Sequence, residues 1–237
     1  MAPPRSVFAF LVVATACATA PPATDASDLR PFFAAHGLPP RAQGPRPTCS
    51  IFTTVAAFEF AVAKVAGTGT RFSVEYANWA ANAANGRADD GDFFHFATSG
   101  HERFGICRDE LWPYAAAFDA KAVPAPDALV DGGRHLAAVA PRLHVRWIRP
   151  NDGKPGLDDA QFADVLRTLA AGWPVAAGSG HSRLLVGYRA DPAAAGGGTF
   201  FTLDSALGAF AEVPAAFVRN DLYDAFVVEE ASGAAAR

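Results

Sequence analysis

Apolar positions dominate the stretch from Cys49 to Ala66. Phe52, Val55, Ala56, Phe58, Phe60, Val62, Ala63 and Val65 cover most of a helical circumference. A helix apolar nearly all round belongs at the centre of a fold, so this segment is predicted to be a central buried helix. Gly67 and Gly69 stop it. Ser73 is placed to cap a second helix that runs to about Ala84 and ends near Asn85-Gly86. Asp89-Asp90-Gly91-Asp92 reads as a solvated loop, with a lesser reading in which it lines a cleft and favours basic substrate residues. A third helix is predicted from Phe93 to Arg103, closed by Gly105. Residues 108–142 are mixed: Trp112-Pro113-Tyr114 breaks structure, and a helical piece fits Ala128–Ala138.

The period then changes. Leu143, Val145 and Trp147 alternate with His144 and Arg146, which predicts a strand. Asp159 to about Ala171 is a helix with Phe162, Val165, Leu166 and Leu169 on one face. Strands are expected at Pro174–Ala177, Ser182–Tyr188 and Thr199–Leu203, and a last one at Ala225–Glu229. The low-complexity stretch Ala190–Gly198 is expected to be a mobile loop. Residues 21–47 are Pro-rich with no long periodic segment and read as an extended arm. Helices first and antiparallel-type strands later give an α+β class with two segregated lobes, a helical N-terminal lobe and an antiparallel β C-terminal lobe.

With 237 residues, 51% of them hydrophobic, the chain supports one sizeable core. The net charge of -4 and the lack of basic runs argue against a nucleic-acid partner. The first twenty residues read as an export signal: Arg5 is the positive head, and Val7 to Ala16 is apolar but too short for a good membrane span. Ala18-Thr19-Ala20 fits small-residue cleavage. Ala14-Thr15-Ala16-Cys17 offers the alternative of a loose lipobox that leaves a lipid anchor on Cys17. The expected domains are therefore a signal at 1–20 and one globular domain at 21–237, exported to a periplasmic, envelope-anchored or extracellular location. A monomer without a transmembrane span in the mature chain is expected. About twenty residues between the signal and Gln43 are too few to build an inhibitory pro-domain.

Cys49 stands at the predicted N-terminus of the central helix, where aligned peptide dipoles favour a thiolate. Gln43, six residues upstream, is a side-chain amide able to donate to a developing oxyanion. His181 opens a later strand, and Asp204-Ser205 follows another. These supply a nucleophile, a base and an orienter. Cys107 reads as a small buried residue, and both thiols are expected to be free. No CxxC pair, zinc spacing or EF-hand pattern is present, so no metal or cofactor is expected. His95 and His101 read as surface or core-edge residues, His36, His135 and His144 carry no functional signal, and the phenylalanines and tryptophans read as core.

The order Cys, His, Asp, with Gln43-Gly44 six residues before Cys49 and with Leu184-Leu185-Val186-Gly187-Tyr188 after His181, resembles the papain-like cysteine peptidases. Thr199-Phe200-Phe201-Thr202-Leu203-Asp204-Ser205 is similar to the family's strand ending in Asn-Ser-Trp-Gly. Gly105-Ile106 with Trp112-Pro113-Tyr114 is similar to its Gly-(Ile/Val)…Tyr-Pro-Tyr segment. The resemblance spans roughly residues 28–230 and implies a two-lobe fold with a cleft between the lobes. It also implies peptide or protein substrates, Cys49 as nucleophile and His181 as general base and later acid. It makes Gln43 the oxyanion donor and Asp204 the orienter in place of asparagine. Ser50 stands where tryptophan is usual, Ala206-Leu207 where the shielding tryptophan is, and the segment from Pro174 to His181 is short. Those features suggest a compact bacterial-type branch. Two alternatives stay open: a papain-like scaffold that has lost catalysis and serves as an envelope binding module, and another Cys-His-Asp acyl-transfer enzyme such as a cell-wall amidase.

Overall fold

A computed structural model describes residues 26–231 of the chain. The export signal and Cys17 lie outside the described residues. Seven helices, Arg30–Ala35 (α1), Cys49–Ala66 (α2), Val74–Asn85 (α3), Phe94–Phe104 (α4), Pro126–Val139 (α5), Asp159–Ala170 (α6) and Ala215–Asp221 (α7), accompany seven strands. The strands are Ala26–Asp28 (β1), Leu143–Arg149 (β2), Val175–Gly178 (β3), Arg183–Ala190 (β4), Gly198–Asp204 (β5), Ala209–Pro214 (β6) and Asp224–Glu230 (β7). They form one antiparallel sheet in the order β2-β7-β3-β4-β5-β6, with β1 paired to the half of β4 that β3 leaves open. This is the two-lobe α+β architecture expected from the chain order.

Period two in the strands sorts their side chains onto two cores. Ala176, Leu184, Phe201 and Phe226 face α2 and the helical lobe. Val175, Leu185, Phe200 and Ala225 face α6 and α7. A sheet buried on both faces holds its register firmly, because a one-residue slip would exchange the two sets. Helix α2 is long and apolar enough to cross a membrane, but most of it is buried within the fold as the central helix. Its one buried charge, Glu59, binds Arg41 at 2.9 Å, Arg71 at 3.0 Å and the Phe72 N–H at 2.8 Å. That carboxylate clips the segment before α2 and the turn after it onto the same helix.

Several expectations need correction. The arm at 21–47 contains β1 and α1, because Phe32 and Phe33 pack on Phe60 of α2, at ring distances of 4.3 and 5.1 Å. Strand β6 and helix α7 were not anticipated; the exposed, polar-mixed pattern of β6 suits a sheet edge. The stretch between β4 and β5 is a hydrogen-bonded turn, and Ala195 O accepts the Ala216 N–H of α7 at 3.0 Å. His101 is buried within the core rather than at the surface or the core edge. It stacks on Phe58 at 3.7 Å and lies 5.7 Å from the ring of His135, which sits against Phe72. Phe93 departs from the core reading, being 57% exposed.

The Nε2 atoms of His101 and His135 are both buried without a hydrogen-bond partner. Burial and then His135 push His101 down to about 3, and burial pushes His135 down to about 4 against the pull of Asp131. The folded protein therefore binds fewer protons here than the unfolded chain. Stability is full above the ordinary histidine value of 6.5 and is lost as the pH falls below it. The loss should reach about 1.4 kcal/mol per histidine per pH unit. Thermal melts at pH 7 and pH 5 should show a large fall in midpoint, and that fall should shrink in His101→Phe. An unchanged difference in the variant would refute the assignment.

Candidate functional site

Cys49 is the first residue of α2. The segment before it, residues 43–48, has no regular structure and is held by side chains. Arg46 is 4% exposed; its guanidinium binds Glu75 at 2.6 Å, Asp90 at 2.8 Å and the Ala115 carbonyl at 2.8 Å. It also lies 4.5 Å from the Tyr114 ring centroid. The Tyr114 hydroxyl donates to Gln43 O at 3.0 Å and shares a hydrogen bond with Thr48 Oγ1 at 2.7 Å, tying both ends of the segment together. The Asp89–Asp92 loop is thus a latch rather than a solvated turn. Asp90 faces Arg46 and Asp92 faces Arg87, while Asp92 also lines the cleft beside Cys49, as the lesser reading of this loop expected. Gly91, at φ 83°, lets this loop press on the segment: a Cβ there would meet Pro47 O at 2.1 Å. Ser50 donates to Asp92 O and joins the loop to the first turn of α2.

The β lobe supplies the other groups. His181 lies between β3 and β4, and its Nε2 is 2.8 Å from Asp204 Oδ1 at the end of β5. This leaves Nδ1 for the thiol. Burial alone would raise the Cys49 pKa, but the His181 ring and the Ser182 main-chain N–H hold it below the usual thiol value. The Cys49 thiol in turn raises His181 above its ordinary value, burial opposes this, and Asp204 reinforces it. Burial would also raise Asp204; His181, Arg183 and the Ala206 N–H keep it below the usual carboxylate range. These directions favour a thiolate–imidazolium pair over a neutral pair.

Three of the four candidate residues therefore converge. Gln43 is buried nearby and bound to the strand end beyond Asp204. Its Oε1 accepts from Ser205 Oγ at 2.7 Å, and its main-chain N–H donates to Ser205 O at 2.8 Å. Nε2 donates to Arg46 O at 2.7 Å. The amide orientation follows, since a carbonyl at Arg46 demands the NH2 side. Like His181, Gln43 stands beside the residues that line the cleft rather than among them. Cys107 is buried and unbonded to Cys49, and burial pushes its thiol up to about 12.

The cleft beside Cys49 has a volume of about 440 Å³. Pro47, Phe93 and Phe94 come from the helical lobe and Ser179, Tyr223 and Asp224 from the β lobe. Asp224 is 4% exposed and pushed up to about 6, because burial outweighs the Asn151 hydrogen bond and the Arg149 charge. Gly178 makes room for it: a Cβ there would lie 1.8 Å from Asp224 Oδ1. Sequence reasoning missed Arg46, Asp224 and Arg183. A cross-strand register would have found Arg183, since Leu184 pairs with Leu203 and so sets Arg183 opposite Asp204. Among the described residues no group of three or more His, Cys, Asp or Glu is gathered to hold a metal.

Solved structures share this architecture. Xylellain, a cysteine protease from Xylella fastidiosa, superposes with a TM-score of 0.66 at 16% identity, covering 87% of this chain and 86% of its own. Digestive procathepsin L 3 of the Tenebrio molitor larval midgut gives 0.62 at 16% identity, over 89% and 71%. The recombinant stem bromelain precursor gives 0.60 at 13% identity, over 86% and 70%. The fold is thus papain-like. No family model and no curated protein sequence matches the chain.

Arg46 makes the segment at 43–48 sensitive to a single change. Arg46→Met would leave Glu75 buried and without its cation, which should destabilise the protein by about 3–5 kcal/mol. Urea unfolding should also show a smaller loss in the Arg46→Met/Glu75→Gln pair than in the single variant. Equal losses would mean that the ion pair is not what holds the segment.

Proposed function

We propose that this protein is an exported cysteine peptidase. The observation that carries the reading is the thiol of Cys49 at the N-terminus of α2, facing an imidazole whose far nitrogen is 2.8 Å from a carboxylate. The papain-like fold and the neighbours that carry it support the same chemistry.

In this reading Cys49 is the nucleophile and His181 the general base and acid, while Asp204 fixes the His181 tautomer. The thiolate attacks the carbonyl carbon of a peptide bond, a C–S bond forms, and the carbonyl π electrons move onto oxygen. The Cys49 main-chain N–H and the second Nε2 hydrogen of Gln43 stabilise that oxyanion. As the C–N bond breaks, the imidazolium proton goes to the leaving amine and a thioester remains. His181 then takes a proton from water, hydroxide adds to the thioester carbon, and the acid product leaves as the thiolate re-forms. No cofactor enters these steps. Asp224, a carboxylate that lines the cleft and forms no salt bridge among the described residues, favours a basic substrate side chain when ionised. Export through residues 1–20, with a lipid anchor on Cys17 as the alternative to cleavage after Ala20, and a monomeric state belong to the same proposal.

Treatment with an epoxysuccinyl-peptide inhibitor should add one adduct to the intact mass, and Cys49→Ala should show none. Peptide turnover should fall by more than about 10³-fold in that variant, with the thermal midpoint retained. No adduct on a Cys49 that small alkylating reagents still reach would favour the binding-module alternative.

The cleft floor gives a separate test. The preference of kcat/KM for arginine over a neutral residue in the peptide should decline as the pH drops through about 6, where Asp224 becomes protonated. Asp224→Ala should remove that preference. A pH-independent preference in the wild type would exclude Asp224 as its source.

A further inference from the structure

Asp204 does not meet His181 alone. Its Oδ1 accepts from His181 Nε2 at 2.8 Å and from the Ala206 N–H at 2.9 Å. Its Oδ2 accepts from Arg183 Nε at 2.8 Å. Arg183 also donates through Nη1 to the His181 carbonyl at 3.3 Å, so one guanidinium binds both the orienting carboxylate and the main chain of the imidazole it orients. The contact is built by register: Arg183 opens β4, Asp204 closes β5, and the Leu184–Leu203 pairing sets the two opposite each other. The Arg183 guanidinium carbon stands 5.4 Å from the Phe217 ring of α7, which flanks it with an apolar face. Asp204 is 3% exposed.

A neutral amide can orient an imidazole without altering the charge of the site. A carboxylate adds a negative charge beside a thiolate, which disfavours loss of the thiol proton. A cation on the other carboxylate oxygen cancels that charge while leaving Oδ1 free to hold the ring. We propose that Arg183 is a positioning residue that neutralises Asp204, so that the Asp204–Arg183 pair serves His181 and Cys49 as an uncharged orienter. The inference rests on the roles of Cys49 and His181 given above. The ionisable groups in this cluster are Cys49 from α2, His181 from the β3–β4 connection, Arg183 from β4 and Asp204 from β5. Asp92 and Asp224 face Cys49 across the cleft, and no further ionisable side chain is hydrogen-bonded or ion-paired to the four among the described residues.

The charge of the orienting pair is zero in the wild type, negative in Arg183→Gln, positive in Asp204→Asn and zero again in the double variant. The test is the rate at which iodoacetamide alkylates Cys49 as a function of pH, with Cys49→Ala as blank. This readout needs no turnover. The pH midpoint for thiolate formation should rise by about one unit in Arg183→Gln, seen as roughly tenfold slower alkylation below both midpoints. It should fall below the wild-type midpoint in Asp204→Asn and return near it in the double variant. Arg183→Lys should stay close to the wild type. Midpoints that do not follow the charge of the pair, in folded variants judged by circular dichroism, would overturn the inference. Should Arg183→Gln fail to fold, the double variant against Asp204→Asn still decides it: loss of the Arg183 charge should raise the midpoint there too, and equal midpoints would overturn the inference. If the order holds but no variant or wild type cleaves peptides, the peptidase reading falls and the role of Arg183 stands; turnover without the order means the reverse.

Discussion

The buried guanidinium of Arg46 is the constraint on which the site depends. The segment from Gln43 to Thr48 has no helix or sheet to position it, yet it must deliver the first residue of α2 to the junction of the lobes. Arg46 does this by binding Glu75 of α3, Asp90 of the latch loop and the Ala115 carbonyl, three separate parts of the helical lobe. A lone buried cation would be costly, but here every face of the guanidinium meets a carboxylate, a carbonyl or the Tyr114 ring. What such a network contributes is definition more than net stability. A hydrophobic residue in its place would fill the volume without specifying where Gln43 and Cys49 stand.

The two lobes meet through the site as well as through their cores. The thiol belongs to the helical lobe and the imidazole and carboxylate to the sheet. Gln43 crosses between them, bound to Arg46 O on one side and Ser205 on the other. The same face of the sheet that buries α2 carries Leu184 and Leu203, the residues next to Arg183 and Asp204. Packing of apolar side chains therefore sets how the thiol of one lobe stands against the imidazole of the other.

The order Cys49, His181, Asp204 was legible because each residue sits at the end of a regular element, and such ends are marked by changes in hydrophobic period. The central helix, α3, α4, α6 and most strands were legible for the same reason. Short α1 and α7 were not, since six or seven residues give too little periodicity and these helices are held by tertiary contacts such as Phe33 on Phe60. Strand β6 lies at a sheet edge and shows little of the apolar pattern that marks an inner strand. The burial of His101, the pairing of Asp90 with Arg46 and the packing of Gly178 around Asp224 all join residues tens of positions apart. Composition and spacing say nothing about such pairs until the fold brings them together.

Three departures from the pattern of papain-like peptidases each have a local counterpart in the structure. Where tryptophan is usual after the cysteine, Ser50 instead donates to Asp92 O and ties α2 to the latch loop. Where a tryptophan shields the histidine and its orienter, Leu207 points away with 64% exposure, while Arg183 and Phe217 stand on the Asp204 side. Where asparagine is usual, Asp204 brings a charge that Arg183 meets at 2.8 Å. Loss of function leaves unpaired buried groups behind it, because nothing selects for their partners. Here the carboxylate, the amide of Gln43 and the hydroxyl of Ser205 are all bonded, and the thiol still faces the imidazole. A maintained polar network around a thiol whose pKa is held below its usual value suits the proposed nucleophile better than a binding scaffold, which supports the proposed enzyme over its degenerate alternative.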